Sequence, residues 1–449
     1  SEVRAILDLV DKPLSPNYDA YYGFFNLGSV INPLTFYEEI KLLPPACFIK
    51  YSDNNLILKK YHTISYKPNT YSYTENVIKT REILNQSVKY RLISDLPVGA
   101  FLSGGVDSSA IVALMKQHST DDINTFSIDF EQKGFSEGNI AKQVAEKYET
   151  DHTNFLVTAD DFKKEFYNIL NSIDSPSIDG INTYFVSKLA KDKGITVVMS
   201  GLGGDEVFGG YGSFEKFPKM KSLKNKLNFL PKNIFNILYN CSENSKFQRV
   251  LDYLSSKEDV DINTYLFLRS LFSDSEIKRF SLKQKKSSYF NDFFKGEYNE
   301  KYFFTNEDIT SYLHTKYYMH DQLLRDSDSM SMRHSLELRV PLVDHELVEF
   351  GASIPGKFKH NKMVLLDAVK PLLPEDVYNR KKMGFGFPLG EWMKRKDILS
   401  MVKELFFLES DYLNKIELEK LWIKFLNGNI SHTRIWSVVV FNFYLLKRS

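Results

Sequence analysis

The stretch "AFLSGGVDSSAIVALM", residues 100–115, constrains the fold more than any other. An apolar strand runs into Ser103-Gly104-Gly105, and the chain restarts at once as a helix behind Asp107-Ser108-Ser109. Glycine permits backbone angles that other residues avoid and lets a ligand come close to the main chain. A helix start leaves backbone N–H groups unpaired and carries partial positive charge. A glycine turn feeding a helix N-terminus is therefore a place for an anion, usually a phosphate. The competing reading is a tight strand-to-helix turn in which Asp107 or Ser108 caps the helix. No Gly-Lys-Ser/Thr follows the glycines, so this is not a Walker loop, and a nucleotide held here lacks that loop's lysine.

Around this turn, strands and helices alternate. "VIKTREILNQSVKYRL" reads as a helix, "VGAFL" as a strand and residues 107–118 as a helix. Strand "TFSIDF" follows, then helix "EGNIAKQVAEKY" with Ile140, Val144 and Tyr148 spaced by four, then strand "HTNFLV". After a longer helical stretch, helix "NTYFVSKLAKDKG" closes on Gly194 as a C-terminal cap, and strand "ITVVMS" leads into a second glycine turn, "GLGGDEVFGGY". This alternation predicts an α/β fold, a doubly wound parallel sheet covered on both faces by helices. Ligands of such sheets sit at the carboxyl ends of the strands, where both glycine turns fall.

Asp107 and Asp205 lie immediately after the two turns. Hard oxygen ligands beside a phosphate site suit Mg²⁺, although each aspartate could equally cap its own helix. Glu137, at the start of the next helix, is a third metal candidate, and equally a carboxylate favoured by the helix dipole. In "NRKKMGFGFP", Arg380, Lys381 and Lys382 precede glycines that force a loop. A lysine reaching a developing negative charge would stabilise a transition state.

Residues 1–66 read as two helices followed by a hairpin, "CFIKYSDNNLILKKY", turning at Ser52-Asp53-Asn54-Asn55. The polar "SYKPNTYSYT" then marks a boundary, giving domains 1–66 and 77–449. Residues 215–300 are lysine-rich and irregularly helical, with the runs "KMKSLKNK" and "LKQKK" expected to be solvated faces. From 310 onward the pattern is helical again, interrupted by "RKKMGFGFP". With 43% apolar and 26% charged residues the composition is that of a globular protein, and a formal charge of +1 argues against a general nucleic-acid surface. Only Cys47 and Cys241 occur, too few for a disulfide framework or a multi-cysteine zinc site. No apolar run approaches the roughly 18 residues of a membrane span and no signal peptide opens the chain, so the cytoplasm is the expected location.

Four motifs together resemble glutamine-hydrolysing asparagine synthetase: "LSGGVDSS", "SGLGGDEVFGGY", "DSMSMRHSLELRVPLVDHELVEF" and "NRKKMGFGFPLGEW". The first is similar to the pyrophosphate-binding loop of ATP-pyrophosphatases. The likeness runs to "SHTRIWSVVVFNFYLL" near the end of the chain. It implies a synthetase domain of the ATP-pyrophosphatase (adenine nucleotide alpha-hydrolase-like) type with helical additions, preceded by a small α+β remnant. It further implies that a carboxylate, aspartate by resemblance, attacks the α-phosphate of ATP, and that ammonia displaces AMP from the acyl-adenylate. Ser103, Gly104, Gly105, Asp107, Ser108 and Ser109 would hold the pyrophosphate portion. Leu102, Ile128, Ser200 and Gly201 would line the adenosine, mostly through backbone groups. Asp107 and Asp205 would carry Mg²⁺, and Lys382 would face the α-phosphate. Residues 1–66 resemble only the closing part of a glutaminase domain, and Ser1 matches no nucleophile, so the chain as written is expected to use ammonia rather than glutamine. Leu202 stands where the family usually shows a carboxylate, which leaves open a different acceptor (a sugar acid, a peptide or a small metabolite). The partners expected are a small-molecule carboxylate and ammonia, with no nucleic acid and no membrane; a homodimer is an open expectation. A nucleotide-binding module without catalysis is the competing class.

Overall fold

The computed structural model describes residues 2–132, 138–227, 245–256, 259–282, 305–379 and 386–446, with isolated positions between 230 and 238. The chain opens with helices α1 (Val3–Leu7) and α2 (Tyr18–Leu27), then an antiparallel hairpin of β1 (Cys47–Ser52) and β2 (Asn55–Lys60). Helix α3 (Tyr73–Arg91) begins earlier than its apolar periodicity suggests, because Ser72 and Glu75 form a reciprocal capping box at its start.

The alternating region follows as β3 (Val98–Phe101), α4 (Val106–His118), β4 (Asn124–Asp129), α5 (Gly138–Lys147), β5 (Asp151–Leu156), α6 (Ala159–Ser172), α7 (Ile181–Asp192) and β6 (Val197–Met199). After β6 come α8 (Gly204–Phe208) and α9 (Ser213–Leu227). The sheet has five parallel strands in the order β5-β4-β3-β6-β7. Its fifth strand, β7 (Glu337–Arg339), corrects the reading of the region after 310 as helical with its interruption at "RKKMGFGFP". Three residues between helices are too few to reveal a strand period.

Because side chains alternate across a strand, the sheet feeds two cores. Phe126, Ile128 and Val198 join α6 and α7 on one face, while Ala100, Leu102 and Met199 join α4 and α5 on the other. The chain leaves β3 toward β4 on one side and reaches β6 on the other. The crevice between β3 and β6 is thus the topological switch point of the sheet, where such folds bind their ligands.

The lysine run "KMKSLKNK" is not a uniformly solvated face. Lys224 is buried and its Nζ donates to the carbonyls of Tyr253 (2.7 Å) and Ser256 (3.1 Å), and Lys221 pairs with Asp261 at 2.5 Å. Of "LKQKK", only Leu282 is among the described residues. No helix among the described residues is long and apolar enough to cross a membrane.

Candidate active site

Both glycine turns lie at the switch point, and they touch. A Cβ on Gly201 would sit 2.7 Å from the Ser108 amide nitrogen and 2.9 Å from the Asp107 carbonyl carbon, so the second turn packs against the first only because position 201 has no side chain. The first turn is folded by its own serines: the Ser103 amide donates to Ser108 Oγ (3.2 Å), and the Gly105 amide to Ser103 Oγ (3.3 Å). Gly105 is the N-cap of α4 and Gly203 that of α8, and neither helix start receives a side-chain cap. The alternative in which Asp107 or Asp205 caps its helix is therefore overturned. Both carboxylates stand in first turns, facing across the crevice.

Between them sits Lys362. Its Nζ hydrogen-bonds Asp107 Oδ2 and lies 2.9 Å from Asp205 Oδ1, with little of any of the three side chains exposed. Burial alone would pull this ammonium's pKa down, but the two carboxylates outweigh it and hold the pKa above the usual lysine value. Lys362 and its neighbour Asn361 both adopt left-handed backbone (φ 56° and 49°), and Lys362 is the N-cap of the helix Met363–Val369. A cation at the positive end of a helix, on strained backbone, is unfavourable locally and is held by the carboxylates opposite. A Cβ on Gly210 would meet Asp205 Oδ1 and Lys362 Cε, so the triad is packed tightly from behind.

These groups line a cavity of about 830 Å³. Of the predicted residues, Leu102, Ser103, Gly105, Asp107, Ser108, Ile128, Ser200, Gly201 and Asp205 are in its wall, as is Leu202. Gly104 and Ser109 are not. Gly104 packs against Ile140 and Ala141 of α5, and Ser109 is fully buried. The amides of Leu102 and Ser200 are spent on Phe126 O (2.8 Å) and Arg339 O (2.9 Å), extending the sheet, so these two residues have no free N–H for an adenosine. Lys382 and Glu137 lie outside the described residues.

Lys362 was missed by sequence reasoning. The signal was a lysine opening an otherwise ordinary helix, against the dipole. A buried acid was missed as well. Glu206 lines the cavity beneath Asp205 and accepts a 2.6 Å hydrogen bond from the Tyr211 hydroxyl; burial pushes its pKa up to about 7, with that hydrogen bond opposing the rise. The far wall comes from the π-helix His314–Leu324, which brings in Tyr318 and Leu323. Together the wall offers apolar surface beside the two glycine turns, with carboxylates and a cation gathered there.

The family model described as asparagine synthase matches residues 79–446. The chain belongs to the asparagine synthase family. A glutamine-hydrolysing asparagine synthetase 1 of Bacillus subtilis is 28% identical over 451 residues, 98% of this chain and 70% of that protein. A putative glutamine-hydrolysing asparagine synthetase 2 of Methanocaldococcus jannaschii is 37% identical over 219 residues, 47% of this chain and 42% of its own length. The amidase chyE of Penicillium rubens is 24% identical over 407 residues, covering 81% and 60%. The chain thus spans 42% to 70% of the length of these relatives. Membership of the asparagine synthase family supports, in general terms, an ATP-using ligase that forms amides.

Proposed function

We propose that this chain adenylates a carboxylate and then amidates it with ammonia. In the first step a carboxylate oxygen attacks the α-phosphorus of ATP, the bond to the bridging oxygen breaks, and pyrophosphate leaves. In the second, ammonia adds at the acyl carbon, AMP departs with the C–O electron pair, and the surplus ammonium proton passes to solvent. The observation that carries this reading is the convergence of two glycine turns, Asp107, Asp205 and Lys362 on one cavity at the switch point of the sheet.

Two carboxylates on adjoining turns are a donor set that fits Mg²⁺ arriving with a nucleotide, since that ion prefers one or two carboxylates plus phosphate oxygens. Asp107 and Asp205 would hold it, and it would offset the charge of the departing pyrophosphate. Lys362 orients the two carboxylates and presents its ammonium to phosphate oxygens, and Lys382 is assigned to the α-phosphate by resemblance. Aspartate is the acceptor that the names of the relatives suggest. Leu202 in the cavity wall, incapable of taking a proton, favours the second reading, the same chemistry on another acid.

The test is product analysis with ATP, Mg²⁺, ammonium chloride and a panel of carboxylic acids that includes aspartate. AMP, pyrophosphate and an amide are the expected products, formed faster as pH rises because unprotonated ammonia is the nucleophile. ADP as the main nucleotide product would overturn the assignment.

A further inference from the structure

A second cavity, of about 600 Å³, adjoins the nucleotide cleft and shares Asp179, Asn182, Tyr318 and Gly386 with it. Its described lining carries Lys246, Arg249, Arg269 and Arg434 against a single acid, Asp179. The three arginines are not equivalent. Arg434 is neutralised by a bidentate pair with Glu276 (2.7 and 3.2 Å) and lies over the Phe272 ring. Arg249 spends Nη2 on the carbonyls of Phe267 and Ser270 and on Ser270 Oγ, with no ion pair to a carboxylate among the described residues. Burial depresses its pKa, and so does the nearby Arg434, with Glu276 of the Arg434 pair opposing. The guanidinium of Arg269 stands 3.8 Å over the ring of Tyr318, the residue that walls both cavities, and it too forms no ion pair among the described residues.

Arg269 keeps its charge against burial through the tyrosines around it, Tyr265, Tyr318 and Tyr211. Four basic side chains against one acid in the described lining leave an excess of positive charge in the cavity, and an incoming anion relieves it. A guanidinium's fork of donors suits a carboxylate or phosphate in particular. The compartment is also too large for the far end of an amino acid alone. Cavities of this size bury ligands of drug-like dimensions.

We propose that this second cavity receives the far end of the acceptor, and that the acceptor is an extended acid bearing a second anionic group, with Arg269 at the threshold between the compartments. The identity of the reacting end rests on the adenylation reading; the anion-binding compartment does not. Arg269 is then a specificity residue that selects the substrate through its remote charge.

Calorimetric titration of the whole chain, saturated with Mg²⁺ and the α,β-methylene analogue of ATP, tests this. The probes are succinate, glutarate, adipate and suberate, each against the monocarboxylate of equal length, with aspartate alongside. At least one diacid longer than succinate should bind tenfold or more tightly than its monoacid and more tightly than aspartate. Arg269→Gln should lower that preference at least fivefold and Arg269→Lys should recover part of it, while affinity for the ATP analogue stays within twofold. Equal binding of diacids and monoacids, or tightest binding of aspartate, overturns the proposal. If Arg269→Gln does not fold, the comparison of acids on the unaltered chain decides by itself. Pyrophosphate release with the same panel separates the two readings. A diacid preference without pyrophosphate from any acid removes the adenylation reading and leaves the anion pocket. Pyrophosphate release without a diacid preference does the reverse.

Discussion

At the scale of single residues, the site is a balance of three charges. Lys362 holds Asp107 and Asp205 together, so Lys362→Ala should reduce pyrophosphate release by roughly 10²–10³-fold, the usual effect of removing one preorganised charge from a transition state. Turnover within threefold of the unaltered chain would show that the ammonium does not act on the reaction. Asp107→Asn should abolish turnover and lower the thermal midpoint by only a few degrees, because Asp107 makes no helix cap to lose and Asp205 still faces the Lys362 ammonium; a variant that unfolds instead would assign it a structural task. Much of this site was legible. The glycine turns and the acids after them announced themselves, since turn chemistry and helix starts are local properties of sequence. Lys362 was not, because its partners lie 255 and 157 positions away, in the other two turns, and nothing near residue 362 encodes them.

At the scale of elements, α8 is five residues long and depends on what stands behind it. Its C-cap, Gly209, has φ 78°, and a Cβ there would collide with the Lys359 carbonyl. Lys359 in turn is fully buried, its Nζ 2.7 Å from Asp308 Oδ1 and 3.1 Å from the Ala352 carbonyl. Removing one partner of a buried pair strands the other charge, so Asp308→Ala should cost about 3–5 kcal/mol in urea unfolding. A loss below about 1 kcal/mol would mean that Lys359 finds water. Helices α6 and α7 are joined by a different device. Burial works against the Glu165 carboxylate, but Lys188, Asn168 (2.8 Å) and the Tyr184 hydroxyl (2.8 Å) overcome it and hold its pKa at about 2, below the ordinary 4.5. The folded state therefore binds fewer protons than the unfolded one between these values. The stabilisation is complete above about pH 4.5 and is lost as pH falls toward 2. The stability gap between the chain and Glu165→Gln should close across that window; a gap constant with pH would refute the linkage. The amphipathic pattern foretold α6 and α7 as elements, but periodicity carries no information about which buried polar group ties one to the other.

At the scale of the whole molecule, the C-terminal helix His432–Leu446 joins distant parts of the chain into one core. Trp436 packs on Phe162 and Phe166 of α6, at 6.3 and 5.9 Å between ring centroids. One and a half turns on, Phe441 meets Tyr21 (5.1 Å), Phe25 (4.8 Å) and Phe36 (5.6 Å) from the N-terminal segment. The Tyr444 hydroxyl then donates to the Asp174 carbonyl at 3.0 Å. Composition suggested a boundary at residues 65–74, yet composition could not reveal that helices on either side of it pack together across more than 400 positions of sequence. Cooperative unfolding follows from that packing, since α2 buries its aromatic face against a helix that also packs on α6. Phe441→Ala removes the ring at the junction and should cost about 3–5 kcal/mol, the range for a buried phenylalanine. The loss should be felt at both ends of the chain at once. Trp392, Trp422 and Trp436 all lie in the C-terminal part, so their fluorescence reports that part, while a thiol probe attached to Cys47 in a Cys241→Ser background reports the N-terminal hairpin. In urea the two transitions should coincide, before and after the substitution, with a common shift of midpoint. A Cys47 transition that keeps its original midpoint in Phe441→Ala while the tryptophan transition falls would mean that the N-terminal segment is held elsewhere, and that the aromatic junction is not what makes the molecule one unit.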